Sequence, residues 1–91
     1  MIQLAVAGAA GRMGQRIIEL AENDDRFQVA AALEKTGHPR IGDKICKLPI
    51  QDHTESEFDV LIDFTLPAGT MHWLEFCLSR KTGMVIGATG H

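Results

Sequence analysis

Three evenly spaced glycines near the start of the chain constrain its fold more than any other feature. Residues 2–7 form a near-continuous apolar run, as in strands that are covered on both faces. Gly8, Gly11 and Gly14 follow at once, and a helical pattern of apolar residues begins among them. In a strand, turn and helix of this kind, the helix N-terminus offers free N–H groups and a partial positive charge. The stretch therefore predicts a turn that can hold a phosphate.

Strand and helix patterns alternate along the rest of the chain. The predicted strands cover residues 2–7, 27–33, 59–63 and 84–87, and the predicted helices cover residues 12–23 and 68–80. The alanines within residues 27–33 leave a helix open as an alternative there. Residues 36–58 are polar and broken by Gly and Pro, so little regular structure is expected beyond a short helical turn near residues 54–58. The alternation predicts an α/β layered fold with a parallel sheet.

The spacing of apolar residues also predicts which side of each helix faces the sheet. The first helix is expected to bury Met13, Ile17, Leu20 and Ala21, and the second helix Met71, Leu74 and Leu78. Thr65 is suited to cap the second helix, with Pro67 in its first turn. Arg80 suits the C-terminus of that helix through the helix dipole, and Gly83 is the expected terminator.

The glycine spacing is close to the fingerprint of dinucleotide-binding turns. That fingerprint is G-x-G-x-x-G, whereas this chain has G-x-x-G-x-x-G, with Ala10 where the middle glycine usually stands. The physical demands are still met: Gly8 allows the sharp turn, Gly11 lets the backbone approach a pyrophosphate, and Gly14 lets the helix pack closely on the sheet. A glycine-rich turn without a ligand is the alternative for this motif alone.

Glu34 makes a dinucleotide the favoured ligand. It lies 20 residues after Gly14, at the end of the second predicted strand, where a carboxylate can accept hydrogen bonds from the adenosine ribose. A solvated surface charge is the alternative for Glu34 alone. Lys35 leaves two interpretations open, because it could pair with the 2′-phosphate of NADPH or be an ordinary surface lysine.

Two further groups of residues end predicted strands. Asp63, Phe64 and Thr65 follow the third strand, and residues 87–90 (Gly-Ala-Thr-Gly) end the fourth. The carboxyl ends of parallel strands form the ligand-binding edge of an open sheet, which favours a functional interpretation of both groups. A plain helix cap and a strand-end turn are the corresponding structural alternatives.

Composition excludes several classes of protein. An apolar content of 45% over 91 residues is enough for the core of one domain, and a formal net charge of −3 gives no sign of nucleic-acid binding. No apolar run is long enough to span a membrane, and the N-terminus does not resemble a signal peptide. Cys46 and Cys77 form no C-x-x-C pair, and we interpret them as reduced thiols of a cytoplasmic protein, with a disulfide between them as the alternative.

The remaining chemically notable residues carry no catalytic pattern. The four histidines lack the spacing of metal ligands and are assigned mostly to the surface: His38, His53, His72 and His91. The larger aromatic side chains Trp73 and Phe76 are expected in the core or at an interface. No metal site and no catalytic residue is predicted.

With these pieces placed, the chain resembles the N-terminal half of the dihydrodipicolinate reductases (4-hydroxy-tetrahydrodipicolinate reductases) of lysine and diaminopimelate biosynthesis. Four blocks carry the resemblance, in order: residues 6–14 (VAGAAGRMG), 31–34 (AALE), 59–65 (DVLIDFT) with Pro67, and 83–90 (GMVIGATG). The resemblance implies a Rossmann-like parallel sheet flanked by helices, here truncated to about four strands. It also implies NADH or NADPH as the cofactor.

The resemblance assigns a role to each matching position. Gly8, Ala9, Ala10, Gly11, Arg12 and Met13 would hold the pyrophosphate, and Glu34 the adenosine ribose, with Lys35 at a position that is often basic in relatives using NADPH. Phe64 and Thr65 would line the nicotinamide side, and Gly87, Ala88 and Thr89 would contact the nicotinamide end. Two positions depart from the family: Ala68 replaces an acid that would complete a capping box with Thr65, and Ala88 replaces a frequent threonine.

Residues 1–91 are therefore expected to be the nucleotide-binding part of a reductase whose substrate-binding domain supplies the proton donor and the dicarboxylate site. Alone, they are expected to bind the cofactor without turnover. The family is typically tetrameric through that other domain, and an unpaired sheet edge at the fourth predicted strand invites self-association. A stand-alone nucleotide-binding regulatory module, or the nucleotide half of another NAD(P)-dependent dehydrogenase, is the alternative function.

Overall fold

The computed structural model describes residues 1–65, 67–80 and 82–86, which form one sheet of six strands and two helices. In chain order these are β1 (Ile2–Ala7), α1 (Arg12–Glu22), β2 (Phe27–Leu33), β3 (Lys44–Ile45), β4 (Leu48–Gln51), β5 (Val60–Asp63), α2 (Pro67–Arg80) and β6 (Gly83–Ile86). The predicted α/β class is confirmed, and the second predicted strand is a strand rather than a helix. The helix and strand bounds that the sequence predicts are correct to within one residue at every end that the structure describes.

The central strands are parallel and end together. The strand order is β3-β4-β2-β1-β5-β6, and within it only β3 and β4 pair antiparallel. Ala7, the last residue of β1, pairs with Leu33 of β2 on one side and with Asp63 of β5 on the other. The chain therefore leaves these three strands at one edge of the sheet. Because β1 is followed by β2 on one side and by β5 on the other, this edge holds the switch point where open α/β sheets bind ligands.

Alternating residues of β1 supply two apolar layers, one on each face of the sheet. Leu4 and Val6 belong to the layer that also contains Ile18 of α1. Ala5 and Ala7 belong to the opposite layer, which contains Trp73 of α2. The two helices therefore cover opposite faces, which explains why β1 is apolar at consecutive positions.

The predicted buried face of α1 is wrong for two of its four residues. Met13 is 57% exposed and Leu20 is 51% exposed, whereas Gly14, Ile18 and Ala21 are buried. A Cβ atom on Gly14 would lie 2.2 Å from the carbonyl oxygen of Gly8. This close approach sets the rotation of the helix, so the face that runs through positions 14, 18 and 21 meets the sheet.

The predicted buried face of α2 is also wrong at Leu78, which is 69% exposed. Trp73 and Cys77 are the buried residues of this helix, at 1% and 2% exposure. The side chains of the other two predicted residues, Met71 and Leu74, lie outside what the structure describes. Trp73 was expected either in the core or at an interface, and it belongs to the core.

The end of α2 is held by Arg80 rather than terminated by Gly83, which is the first residue of β6. The Arg80 guanidinium lies 5.1 Å from the ring centroids of both Phe58 and Phe76. It also donates hydrogen bonds of 2.7 Å to the carbonyl oxygens of Thr54 and Ser56. Arg80 therefore ties the helix to the irregular segment that precedes β5.

Residues 36–58 contain two strands that the sequence patterns did not predict. β3 and β4 form a hairpin whose turn residues, Cys46 and Lys47, have positive φ values of 50° and 71°. β4 then pairs parallel with β2, so the sheet has six strands rather than about four. The expected helical turn near residues 54–58 is absent, and Phe58 in this segment packs in the core. Both cysteines are free thiols, Cys46 exposed and Cys77 buried.

Candidate cofactor site

The glycine turn after β1 is bound to the end of β2 through its backbone. The N–H groups of Gly8 and Ala9 both donate to the carbonyl oxygen of Leu33, at 3.0 and 3.1 Å. Gly8 has a φ of +80°, in the left-handed region that favours glycine. The Gly11 N–H donates to the Gly8 carbonyl at 3.1 Å and closes the turn. A turn that is held in this way keeps its remaining backbone groups in a defined position.

Each of the three glycines has a different steric role. A Cβ atom on Gly8 would lie 3.0 Å from the backbone carbon of Phe64, so the turn is pressed against the exit from β5. A Cβ atom on Gly14 would overlap the turn itself. A Cβ atom on Gly11 would meet only the Gly8 oxygen, at an ordinary 3.4 Å, and would otherwise occupy the open space of the cleft. Gly11 therefore leaves room for a ligand rather than for packing.

The N-terminus of α1 is suited to an anion. Its N-cap residue is Gly11, which has no side chain to bond the first free N–H groups, and the first turn contains no acidic residue. N–H groups at a helix start carry a partial positive charge and readily bind phosphate oxygens. The residues present therefore fit a pyrophosphate at the position that the sequence predicts.

Glu34 reaches back from the end of β2 to the glycine turn. Its Oε2 atom accepts a 2.9 Å hydrogen bond from the backbone N–H of Ala10, and the residue is only 7% exposed. The carbonyl oxygen of Ala10 accepts a 2.8 Å bond from the Gln15 side chain. Ala10 is thus fixed on both sides, and the carboxylate of Glu34 is held at the mouth of the turn.

A cleft of about 690 Å³ lies above this edge of the sheet. Seven of the residues predicted for the cofactor site line it: Gly8, Ala10, Gly11, Glu34, Lys35, Phe64 and Thr65. They come from the ends of β1, β2 and β5, which the parallel register brings together. The cleft therefore joins the predicted pyrophosphate and ribose positions with the predicted nicotinamide side.

Of the six other predicted site residues, the three that the structure describes do not line the cleft. Ala9 is fully buried in the core layer beneath α1, while Arg12 and Met13 are exposed in the first turn of that helix. Their backbone, rather than their side chains, is what the turn can offer. The remaining three, Gly87, Ala88 and Thr89, lie outside the described residues.

Four cleft residues were not assigned to the site from sequence: Thr36, His38, His72 and Trp73. Two of them come from the segment after β2 and two from α2, across the cleft. His72 packs edge-on against Trp73, with ring centroids 4.7 Å apart. The side chain of His38 is 21% exposed, so this histidine is partly buried. No sequence signal marks it, because the segment after β2 is irregular and a spacing of four residues brings side chains together only on a helix.

Asp63 shapes the other wall of the cleft without lining it. It is fully buried, and its Oδ1 atom accepts hydrogen bonds from the backbone N–H of Thr65, at 2.8 Å, and from the Thr65 hydroxyl. These bonds turn the chain sharply after β5 and place Phe64 and Thr65 opposite Gly8. Thr65 was expected to cap α2. The residue between Thr65 and the start of the helix, Leu66, lies outside the described residues, so this expectation stays a prediction.

The part of the chain that the structure describes holds neither a metal site nor a membrane span. No group of three or more His, Cys, Asp or Glu side chains there is arranged to hold a metal ion. Neither of its helices is long and apolar enough to cross a membrane.

Comparison with known proteins gives consistent matches over nearly the whole chain. A family model described as "Dihydrodipicolinate reductase, N-terminus" matches residues 2–91. The 4-hydroxy-tetrahydrodipicolinate reductases of Bordetella parapertussis and Bordetella pertussis are each 40% identical over 97 residues, which cover 97% of this chain and 36% of the relative. The chain thus spans about a third of the length of these relatives.

A solved structure has the same fold. Dipicolinate-bound dihydrodipicolinate reductase from Paenisporosarcina sp. TG-14 superposes with a TM-score of 0.71 at 26% identity, over 99% of this chain and 38% of that one. The parallel sheet, the glycine turn and the family match over residues 2–91 agree. The chain belongs to the dihydrodipicolinate reductase family and corresponds to its N-terminal portion.

Proposed function

We propose that this chain is the NAD(P)H-binding part of a reductase that converts 4-hydroxy-tetrahydrodipicolinate to tetrahydrodipicolinate in lysine and diaminopimelate biosynthesis. The observation that carries the proposal is the contact between the two halves of the dinucleotide motif. Glu34 bonds the backbone of Ala10, so the predicted ribose ligand and the predicted pyrophosphate turn meet in one cleft.

Each wall of the cleft has a part in this function. The backbone of residues 8–13 binds the pyrophosphate at the start of α1, and the carboxylate of Glu34 accepts hydrogen bonds from the adenosine ribose. Phe64 and Thr65, positioned by Asp63, orient the nicotinamide side, and Gly87, Ala88 and Thr89 contact the nicotinamide end. When bound, the cofactor supplies the hydride.

The other parts of the reaction are assigned to the portion of the full-length relatives that this chain does not span. We place the dicarboxylate substrate and the proton donor there, and we expect the reductase to be a cytoplasmic homo-oligomer. The 91 residues by themselves are expected to bind cofactor without reducing substrate.

Cofactor binding by residues 1–91 tests the proposal directly. NADH, NADPH and ADP-ribose should each raise the unfolding temperature, since a ligand at 100 times its Kd stabilises the folded state by about 2.7 kcal/mol. ADP-ribose serves as a probe of the turn and Glu34 without the nicotinamide. Failure of all three at millimolar concentration would overturn the proposal.

Two charge-removing variants form a matched pair for the same titration. Glu34→Gln should weaken NADH binding about tenfold, because a carboxylate accepts hydrogen bonds from hydroxyls more strongly than an amide does. Glu55→Gln, at an exposed position outside the cleft, should leave binding unchanged. Equal losses in the two variants would remove Glu34 from the site.

Lys35 is the residue whose charge could set the preference between NADPH and NADH. If its ammonium pairs with the 2′-phosphate, Lys35→Ala should lower the affinity for NADPH while leaving that for NADH in place. An unchanged preference would make Lys35 a surface lysine.

A further inference from the structure

His38 lies beside Glu34 in the cleft, and the proposed function does not use its side chain. Its backbone N–H donates to the Lys35 carbonyl at 3.0 Å, which turns the segment after β2 back towards the cleft. The imidazole Nε2 then lies 3.9 Å from the Oε1 atom of Glu34. That distance is too long for a direct hydrogen bond between the two side chains.

The hydrogen bonds around His38 define which ring nitrogen carries the proton. The backbone N–H of Arg40 donates to Nδ1 at 3.0 Å, so Nδ1 acts as an acceptor. In a neutral imidazole the other nitrogen is then the donor. The Nε2–H group of His38 therefore faces the carboxylate of Glu34 as a fixed donor.

The two carboxylate oxygens of Glu34 have different surroundings. Its Oε2 atom is occupied by the Ala10 N–H, whereas Oε1 faces His38 across the 3.9 Å gap. An oxygen atom at a normal hydrogen-bond distance of about 2.8 Å from both Nε2 and Oε1 fits this gap with an angle of about 90° between the two bonds. A hydroxyl suits it, since one oxygen can accept from Nε2–H and donate to Oε1.

We propose that His38 and Glu34 together bind the 2′-hydroxyl of the adenosine ribose, with His38 Nε2–H donating to its oxygen and Glu34 Oε1 accepting its proton. The inference rests on the proposed dinucleotide function and adds a specificity-determining residue to it. A 2′-phosphate has only acceptor oxygens and a negative charge towards Glu34, so the pair favours NADH. His38 thus adds a donor for the hydroxyl oxygen beside the carboxylate that disfavours a phosphate.

Two variants of His38 separate this role from its place in the turn. His38→Asn has a side-chain oxygen where Nδ1 was, so it keeps the bond from the Arg40 N–H but lacks the donor towards Glu34. His38→Gln places a neutral amide donor near the position of Nε2. Urea denaturation of both variants establishes that each is folded before binding is measured.

The binding experiment is a double-mutant cycle in which one change is made to His38 and the other to the 2′ group of the ligand. Kd values for NADH, 2′-deoxy-NADH and NADPH are measured with residues 1–91 at pH 8, above the range in which imidazoles gain charge. His38→Asn should weaken NADH binding about three- to tenfold, the effect of one hydrogen bond, and leave 2′-deoxy-NADH unchanged. His38→Gln should recover most of the NADH affinity.

Three results would overturn the inference while leaving the proposed function in place. Equal losses for NADH and 2′-deoxy-NADH in His38→Asn would mean that His38 acts only through the turn. A larger loss for NADPH than for NADH would mean that it contacts the phosphate. Unchanged NADH binding in His38→Asn would mean that it contacts neither, with the proposed function intact. Absence of any dinucleotide binding to the unmodified chain would instead overturn the proposed function itself, and this inference with it.

Discussion

At the scale of single residues, the glycines of the opening turn differ in what a methyl group would do to the protein. Gly14 is enclosed by backbone atoms of the turn, the nearest at 2.2 Å, whereas Gly11 faces the cleft. Backbone atoms cannot move aside as the end of a flexible side chain can. The same motif therefore contains one glycine that is enclosed by packing and another that is open to the cleft.

Gly14→Ala should lower the free energy of unfolding by about 1–3 kcal/mol or more, because the methyl group must push α1 away from the turn. Urea denaturation followed by circular dichroism measures the loss. Gly83→Ala is the matched control: its Cβ atom would meet its nearest neighbour, the Asp59 oxygen, at an ordinary 3.5 Å. Equal unfolding midpoints for the two variants would contradict the steric role of Gly14.

Asp24 lies in the turn between α1 and β2, and its carboxyl makes the stability of the folded chain depend on pH. The hydrogen bond from the Arg26 guanidinium lowers the pKa of Asp24 from 3.8 to about 2. A carboxyl with a lowered pKa in the folded state stabilises that state above its unfolded pKa, and the benefit is lost as pH falls through the folded pKa. The relevant window is therefore pH 4 to 2.

Asp24→Asn keeps an oxygen that can accept the Arg26 backbone N–H but removes the charge that pairs with the guanidinium. Its unfolding temperature should lie below that of the unmodified chain at pH 5, and the difference should shrink as the pH falls from 4 through 2. Because the pair is exposed, 1 M salt should shrink the difference. A difference that persists unchanged at pH 2 would rule out this titration.

At the scale of elements, the rotation of α1 follows from the turn that precedes it. The helix has two sides with apolar residues, and the contact at Gly14 selects the side with Ile18 over the side with Leu20. α2 shows the same kind of choice, with Trp73 buried and Leu78 exposed. Apolar spacing alone does not distinguish the sides, because the competing residues differ by only one or two positions.

Ile18→Ala should cost about 2–5 kcal/mol of unfolding free energy, as expected for a large side chain that is removed from a packed layer. Leu20→Ala removes a side chain that is 51% exposed and should change stability by less than about 0.5 kcal/mol. Thermal and urea unfolding of the pair distinguish the observed face from the one that the apolar spacing predicts. A larger loss for Leu20→Ala than for Ile18→Ala would mean that α1 buries the face that the apolar spacing predicts.

At the scale of the whole molecule, β6 is the outer strand of the sheet on the side away from β3. Its Val85 is 54% exposed, and Leu78 of α2, the helix that packs on this side of the sheet, is 69% exposed. A strand at the edge of a sheet presents unpaired N–H and carbonyl groups to which another chain can add. Residues 1–91 should therefore self-associate through this edge.

Val85→Lys should lower the sedimentation coefficient of concentrated samples towards that of a monomer, since an edge lysine opposes strand addition. Leu20→Lys, on the exposed side of α1, is the control and should leave association unchanged. Sedimentation that is identical in all three proteins would exclude the β6 edge as the contact.

What the sequence determines by itself is local. The apolar run of β1, the glycines of the turn and the position of Glu34 predict a parallel α/β sheet with a dinucleotide site at one edge. These features follow from backbone sterics and from the periodicity of strands and helices, which act over a few residues. The bounds of the predicted strands and helices are accordingly correct to within one residue wherever the structure describes them.

The tertiary structure alone decides which surfaces meet. The rotation of α1 depends on a contact between Gly14 and Gly8. The pairing with β2 brings in β4, a strand of four residues that is too short to be recognised locally. His38 enters the cleft only because the segment after β2 turns back beside Glu34. Such contacts depend on the packing of the whole sheet, so apolar spacing can name the candidates for a contact but cannot choose between them.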